Sequence, residues 1–441
     1  MLKCGIISVR IIAELQPKEP RKMSDKIYTV AILGCGSRGA DTYGKRVFNR
    51  PNEFKITDLC EISPIRLKET QERFNIGDDH AFLDENEFFK TKRADVIFIC
   101  TQDKDHVRQC LKALELGYDV LLEKPITGSK EECYKLLEMQ EKTNRKVFVC
   151  HVLRYSPAFL KSKEILDSGV LGRLVAMDAV EQVAYWHQAH SFVRGNWRNS
   201  KECVPMILAK CCHDLDYLQY FAGSKCETVS SVGDLTFFKE DNAPEGSTKM
   251  CIDCKYQDTC VYSAKTLYYG SWKKRDNAWI TSVMMRCKEC TEENILNELK
   301  TNPYGRCVFR CDNDVVDHQF TQMAFQNGVK ANLLMTAFTQ RGGRIITFYC
   351  TYGQLILNEE EGLLKIKKFG SPTENIEISS LVDHGSGHGG GDDGLVDKLH
   401  SMFDGEFTKG TSLRESLESH LMGIASEESR INNGKLVYVH Q

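Results

Sequence analysis

The chain of 441 residues lacks any apolar run of the roughly 18 residues that a membrane-spanning helix needs. It also lacks an excess of charge of either sign, with 58 Lys and Arg against 61 Asp and Glu for a net charge of −3. That balance excludes a general nucleic-acid binder and a polybasic membrane-surface role. No internal repeat is found, and no secretory leader with a small-residue cleavage site stands at the start. Residues 1–22 mix apolar residues with Arg10 and Glu14 and run into the linker-like QPKEPRK, just before Met23. They are expected to be a tail or an upstream extension, with a weak targeting peptide as the alternative, and the chain reads as cytoplasmic.

Cysteine, by contrast, is abundant, at 19 residues. Most stand singly inside apolar segments, as Cys60, Cys100, Cys110, Cys150 and Cys350 do, where a free thiol behaves as a small buried hydrophobe. A large chain without an export signal does not need a disulfide scaffold. The exception is a cluster, Cys251-x-x-Cys254-x5-Cys260, then Cys287-x-x-Cys290, then Cys307 and Cys311. Thiolate pairs at this spacing are the pattern of a structural tetrahedral zinc site. Cys251, Cys254 and Cys260 are the first three candidate ligands, with Cys307, Cys287 or Cys290 as the fourth. An iron–sulfur cluster or free thiols are the alternatives.

From Tyr28 to Val152, apolar strands alternate with amphipathic helices. Strands are expected at Tyr28–Gly34, Phe54–Glu61, Ala94–Thr101, Asp119–Leu122 and Lys146–Val152. Near-continuous apolar strands separated by helices predict an α/β domain, residues 23–150, with a parallel sheet covered on both faces. After Pro157 the pattern changes to an α+β domain, residues 151–441. Its long alternating strand Leu174–Trp186 and its hairpins, one turning at Asn327-Gly328 and one at Gly353, predict a large, mostly antiparallel open sheet. Residues 240–312, rich in Cys, Lys and Asn, read as an insertion.

The first strand runs directly into Gly34-Cys-Gly36-Ser37-Arg38-Gly39. A strand that turns through such glycines into a helix builds an anion site from backbone. The first glycine makes the turn, the second lets main chain approach a pyrophosphate, and the third lets helix and strand pack closely. The helix N-terminus adds free N–H groups. Glu61 follows Gly39 by 22 residues and ends the second strand, where an acid accepts from the ribose hydroxyls and repels a 2′-phosphate, favouring NAD over NADP. Arg66 tempers this, since an Arg beside the ribose accepts a phosphate. Thr101 and Gln102 end the third strand at the sheet edge where ligands bind in such folds. His106 is either a packing residue of the next helix or a cofactor contact. Glu123-Lys124-Pro125 follows a strand into the same crevice, and Pro125 restricts Lys124 to extended backbone.

These features, together with His151-Val-Leu-Arg154-Tyr155-Ser-Pro157, Trp197-Arg198, His213-Asp-Leu-Asp216 and FQNGVKANLLMTAF, resemble the glucose–fructose oxidoreductase, inositol dehydrogenase and rhizopine-catabolism (Gfo/Idh/MocA) family across about residues 27–440. The resemblance implies an N-terminal Rossmann domain holding NAD or NADP, with Arg154 near the cofactor. It also implies a second domain that presents a sugar or cyclitol hydroxyl, and a homodimer or homotetramer. It places Lys124 beside nicotinamide and substrate, and His213 facing the reacting hydroxyl as its base. Where many members carry an Asp four residues before that histidine, this chain has Ala209; Lys210, Asp214 and Asp216 are the candidates to compensate. Some members instead cleave glycosides by oxidation, elimination, water addition and reduction, and some act as regulators without turnover.

Sugars are bound by aromatic faces and charged donors. The stretch from Trp186 to Arg198 offers both, so His190, Arg194, Trp197 and Arg198 are candidate substrate contacts, with Lys210, Asp214 and His388. His388 lies in the glycine-rich loop His384-Gly-Ser-Gly-His388-Gly-Gly-Gly-Asp392.

Overall fold

The described residues open on the α/β layer that the sequence predicts. A computed structural model describes residues 25–285, 288–381, 387–406 and 410–441. The expectations for residues 1–22, Cys287 and His384 fall outside these. Six strands, β1 (Tyr28–Leu33), β2 (Phe54–Cys60), β3 (Ala81–Phe82), β4 (Val96–Ile99), β5 (Asp119–Leu122) and β6 (Val147–Val149), form a sheet in the order β3-β2-β1-β4-β5-β6. Every pairing in it is parallel. The strand order reverses beside β1, so β1 and β4 open a crevice at their carboxyl ends, the place where ligands bind in such sheets.

The second sheet has nine strands: β7 (Leu174–Gln182), β8 (Cys226–Asp234), β9 (His318–Phe325), β10 (Lys330–Thr336), β11 (Gly343–Cys350), β12 (Gly353–Asn358), β13 (Leu363–Lys368), β14 (Glu374–Glu377) and β15 (Val437–Tyr438). All neighbours are antiparallel except β7 and β10. The Asn327-Gly328 hairpin forms as expected, with Gly328 at φ +92°. The second hairpin turns at Thr351-Tyr352, because Gly353 already pairs with Cys350. Helices Pro157–Asp167, Cys212–Ala222 and Leu413–Ile431 cover one face of this sheet, burying Phe159, Ile165, Leu215, Leu218, Phe221, Leu421 and Met422 against Met177, Leu333 and Phe348.

Two C-terminal helices return to the first sheet. Helix Gly391–Asp404 buries Leu395, Val396, Leu399, Met402 and Phe403 against Val30, Ile32, Phe98 and Phe148. Helix Leu413–Ile431 contributes Leu413 and Leu417 to the first core and Leu421, Met422 and Ala425 to the second. The two sheets therefore share buried helices, and the crevice between them is held from both sides. The Cys-rich insertion has a core of its own, built of Phe238, Leu267, Tyr268, Ile280, Met284, Ile295, Leu299 and Tyr304. Among the described residues no helix is long and apolar enough to cross a membrane.

Candidate functional site

The site begins at the glycine turn. Gly34 lies at φ +89°, and a Cβ there would stand 2.6 Å from the Cys100 carbonyl oxygen. A Cβ on Gly39 would stand 2.0 Å from the Gly34 carbonyl oxygen, so helix and strand touch through backbone. Gly36 differs: the nearest atom to its missing Cβ is Arg66 Nη1 at 3.7 Å. The turn thus leaves open space over Gly36, ahead of the helical segment Ser37–Gly44, where a pyrophosphate fits against main-chain N–H groups. This is the cradle a dinucleotide needs.

Glu61 is buried rather than solvated. Its Oε2 accepts from the Cys35 N–H at 2.8 Å and its Oε1 from the Ser63 N–H at 3.0 Å. The carboxylate is therefore fixed at the end of β2, beside the turn, with lone pairs left over for ribose hydroxyls. Arg66 Nη1 approaches it at 3.8 Å. Replacing Glu61 with Ala should weaken NADH binding about tenfold and reduce the preference for NAD over NADP. Dissociation constants for both cofactors would measure this, and an unchanged ratio would contradict the assignment.

Several residues assigned to the cofactor by sequence are engaged elsewhere. Arg38 turns its side chain across the crevice: Nε donates to Glu123 Oε1 at 2.6 Å and Nη2 to Asp392 Oδ1 at 2.8 Å, with Tyr43 also in contact. Ser37 starts the helix at the turn. Glu123 also accepts from the Tyr43 hydroxyl at 2.8 Å and from the Lys124 N–H at 2.9 Å. Although burial opposes it, the charges of Arg38 and Lys124 hold the Glu123 carboxyl below its ordinary range. His106 is buried with Nδ1 at 2.7 Å from the Pro125 carbonyl and Nε2 at 3.3 Å from that of Thr101. It ties the ends of β4 and β5 together, which is the packing role. Thr101 Oγ1 bonds to Gln109, and Gln102 is exposed at the crevice edge. The guanidinium of Arg154 binds Asp216 through Nε and Nη2, in two bonds of 2.7 Å.

Lys124 reaches the second domain, where Nζ donates to the Ala209 carbonyl at 3.2 Å. The position that lacks a carboxylate thus holds the lysine through backbone. His213 lies just beyond, on helix Cys212–Ala222, buried and with no hydrogen-bond partner on either ring nitrogen among the described residues. Burial, then the charges of Lys124, His388 and His151, hold its imidazole well below the ordinary histidine value, so it is neutral. The candidates to replace the missing acid do not face it. Asp214 is bound by Arg344 at 2.9 and 3.3 Å, Asp216 by Arg154, and Lys210 by Glu181 at 2.8 Å. Burial, with Glu181 nearby, pushes the Asp214 carboxyl up to about 7. Trp197 does reach the crevice wall, its indole N–H donating to Asp103 Oδ2 at 3.0 Å. His388 also stands at the crevice, its ring centroid 5.6 Å from that of His213.

Three candidate sugar contacts lie away from this group. His190 stacks on Tyr304 at 4.7 Å and bonds the Tyr268 hydroxyl inside the insertion core. Arg194 is fully buried there, donating to the carbonyls of Arg306 and Tyr262 and to Cys251 Sγ. Arg198 pairs with Asp312 at 2.8 and 2.9 Å. The reason is local: the helical segments from Tyr185 to Arg194 fold their apolar side, Ala189 and Val193, into the insertion. Sequence reasoning passed over Tyr43, which braces Glu123, and His187, which shares the electrostatic field of Lys210, Lys124 and His388. Neither belongs to a motif, so only the fold could reveal them.

The described residues do not support the zinc expectation. Cys251, Cys254, Cys260 and Cys307 do line one small cavity with Tyr256 and Phe309. Yet among the described residues no three His, Cys, Asp or Glu side chains are grouped as a metal ion requires. Cys251 is instead engaged by Cys307 and Arg194, which hold its thiol below the ordinary value against the effect of burial.

Burial of neutral histidines makes stability pH-dependent. Burial, chiefly, holds His190 and His420 down to about 3. Their contribution is present above the unfolded value near 6.5 and is lost as pH falls through it. At pH 5.5 each should cost on the order of 1 kcal/mol. The urea midpoint should therefore fall between pH 7.5 and 5.5, and an unchanged midpoint would contradict this.

The comparisons agree with the two-domain fold. Residues 28–151 match the model of the oxidoreductase family with NAD-binding Rossmann fold, and residues 159–356 match the GFO/IDH/MocA C-terminal domain. The chain is 24% identical to the oxidoreductase YteT of Bacillus subtilis over 84% of its own length and 88% of that protein's. It is 24% identical to an inositol 2-dehydrogenase of Corynebacterium glutamicum over 46% of its length and 57% of that enzyme's. Its fold matches a levoglucosan dehydrogenase solved with NADH and levoglucosan, at TM-score 0.68 and 16% identity, over 94% of this chain and 100% of that one. It also matches an Agrobacterium radiobacter oxidoreductase solved with NAD+, L-tartaric acid and magnesium, at TM-score 0.66 and 14% identity, over 93% and 98%. With both domains matched, the chain belongs to the GFO/IDH/MocA oxidoreductase family and is an enzyme of the dehydrogenase kind.

Proposed function

We propose that this enzyme moves a hydride between NAD(H) and a ring hydroxyl or ketone of a sugar, sugar derivative or cyclitol. The observation that carries the reading is the reach of Lys124 from the end of β5 to the Ala209 carbonyl, beside the unpartnered His213. Two polar side chains from two domains thus converge where the crevice from the glycine turn meets the second sheet. With its pyrophosphate over Gly34–Gly39, a bound dinucleotide would supply the nicotinamide as hydride acceptor. Lys124 polarises the reacting oxygen, and the neutral His213 hydrogen-bonds it. The buried Glu61 favours NAD, and the names of the inositol and levoglucosan relatives favour a polyhydroxylated ring.

The outer face of the second sheet supports a homodimer, or a tetramer built from it. Val232, Phe320, Leu334, Val180 and Ile345 stand in register across five strands. Phe320 is 52% and Val232 50% exposed. A continuous apolar row on an open face is covered most simply by the same row of a second copy.

The test is a panel of sugars, cyclitols and glycosides with NAD+, followed at the NADH absorbance band. Accumulating NADH on a ring polyol supports the dehydrogenase. Glycoside cleavage without net NADH supports the redox-neutral glycosidase, a reading kept because a glycosyl hydrolase family 109 protein of Porphyromonas gingivalis is 25% identical over 38% of this chain.

A further inference from the structure

Oxidising an alcohol releases a proton as well as a hydride, and the proton needs an acceptor that can hold positive charge. His213 is poorly suited. It is buried, Lys124 is the strongest charge acting on it, and among the described residues no carboxylate bonds its ring. An imidazolium there would be unpaired and cut off from water.

His388 has what His213 lacks. Its Nδ1 stands 3.1 Å from Asp392 Oδ2, and its side chain keeps 37% exposure while Asp392 is buried. Asp392 is itself clamped by Arg38, which reaches back from the glycine turn and also holds Glu123. The backbone of His388 lies at φ +51°, a conformation uncommon for a side chain of this size, and the adjacent Gly389 carbonyl is fastened by the Ser156 hydroxyl at 2.9 Å. A residue in that conformation, with the next carbonyl fastened and its own ring bonded to Asp392, has that ring aimed rather than free. A carboxylate on Nδ1 fixes the N–H tautomer there and leaves Nε2 as the acceptor.

We propose that His388, oriented by Asp392, is the base of the reaction, resting on the dehydrogenase reading above. In the forward direction the hydroxyl O–H proton passes to His388 Nε2 as the carbon's hydride passes to the nicotinamide, leaving the ketone. His213 stays neutral and binds the oxygen. The charged and titratable groups around His388 are Asp392, Arg38, Lys124, His213 and His187. The ring is neutral at neutral pH, desolvation of the part facing the crevice holding it below the ordinary histidine value, against the pull of Asp392. Exposure then lets the proton leave to solvent without crossing the core.

The test uses the full chain. Imidazole 15N spectra at pH 7.5, with the His388 signals assigned by their loss in His388→Gln, should show the proton on Nδ1. In Asp392→Asn that preference should be lost. A proton on Nε2 in the wild type overturns the proposal, whether or not a substrate is known. On any ring polyol that the wild type oxidises, His388→Gln should lower kcat about a hundredfold or more and remove the acid limb of the pH profile, with NADH affinity within twofold of wild type. Full turnover with an unchanged profile overturns the base role. Failure of the wild type on every polyol counts instead against the dehydrogenase reading, so the two failures are distinguishable.

Discussion

Lys124→Met will lower kcat/KM by about a hundred- to ten-thousandfold while leaving the NADH dissociation constant within about twofold. The direction follows from where the ammonium sits. Its stem leaves the end of β5, and among the described residues its Nζ bonds the Ala209 carbonyl, a neutral partner that a substrate oxygen can join. Methionine keeps the stem's length and apolar contacts, so the crevice should not collapse, and Glu123 keeps its bonds to Arg38 and Tyr43. What disappears is the positive charge beside an oxygen that becomes alkoxide-like in the transition state. Such an interaction strengthens as the reaction proceeds, so its loss belongs in kcat more than in cofactor binding. Steady-state kinetics beside fluorescence titration of NADH separates the two. Retained turnover would remove Lys124 from the chemistry.

The second large effect separates two glycines of one motif. Gly39→Ala sets a Cβ 2.0 Å from the Gly34 carbonyl oxygen and 3.1 Å from Ile32, both in the strand–turn itself. Neither can move without opening the joint between β1 and its helix. The cost should reach about 3 kcal/mol, seen as a lower melting temperature, and NADH binding should be lost with it. Gly36→Ala meets only the far end of the Arg66 side chain, at 3.7 Å. Its melting temperature should stay near wild type, yet its methyl fills the space over the turn and should raise the NADH dissociation constant by about ten- to a hundredfold. Calorimetry and NADH titration on both variants measure this. Equal effects on stability, or tight NADH binding by Gly36→Ala, would contradict the cradle.

Much of the first domain was legible because its signals are local. Apolar runs, the glycine turn and Pro64 and Gly117 at helix ends each act within a few residues, and β5 spans Asp119–Leu122 as expected. The long-range partners were less legible. Nothing near Arg38 announces that its guanidinium will bridge Glu123 and Asp392, 354 residues away in the chain. The helix Leu413–Ile431 carries apolar residues for two different cores, so its pattern is too diffuse to read as one amphipathic face. The stretch from Trp186 to Arg198 misled for a related reason. Aromatics and charged donors suit a sugar, but they equally suit a core in which His190 stacks on Tyr304 and Arg194 satisfies carbonyls. Composition does not say which way a segment faces. Cysteine spacing likewise brought four thiols to one cavity without, among the described residues, the closer grouping a metal needs.

The central claim is that hydride leaves a ring carbon for the nicotinamide of a dinucleotide whose pyrophosphate is held over Gly34–Gly39. It is tested most directly by isotope transfer. Sugars and cyclitols deuterated at the carbinol carbon are incubated with the wild-type chain and NAD+, and the recovered NADH is weighed by mass spectrometry. The account predicts NADH carrying the substrate's deuteron, with Lys124→Met forming almost none. Ring ketone formed without label in NADH, or no oxidation of any ring polyol by protein that binds NADH, would contradict it.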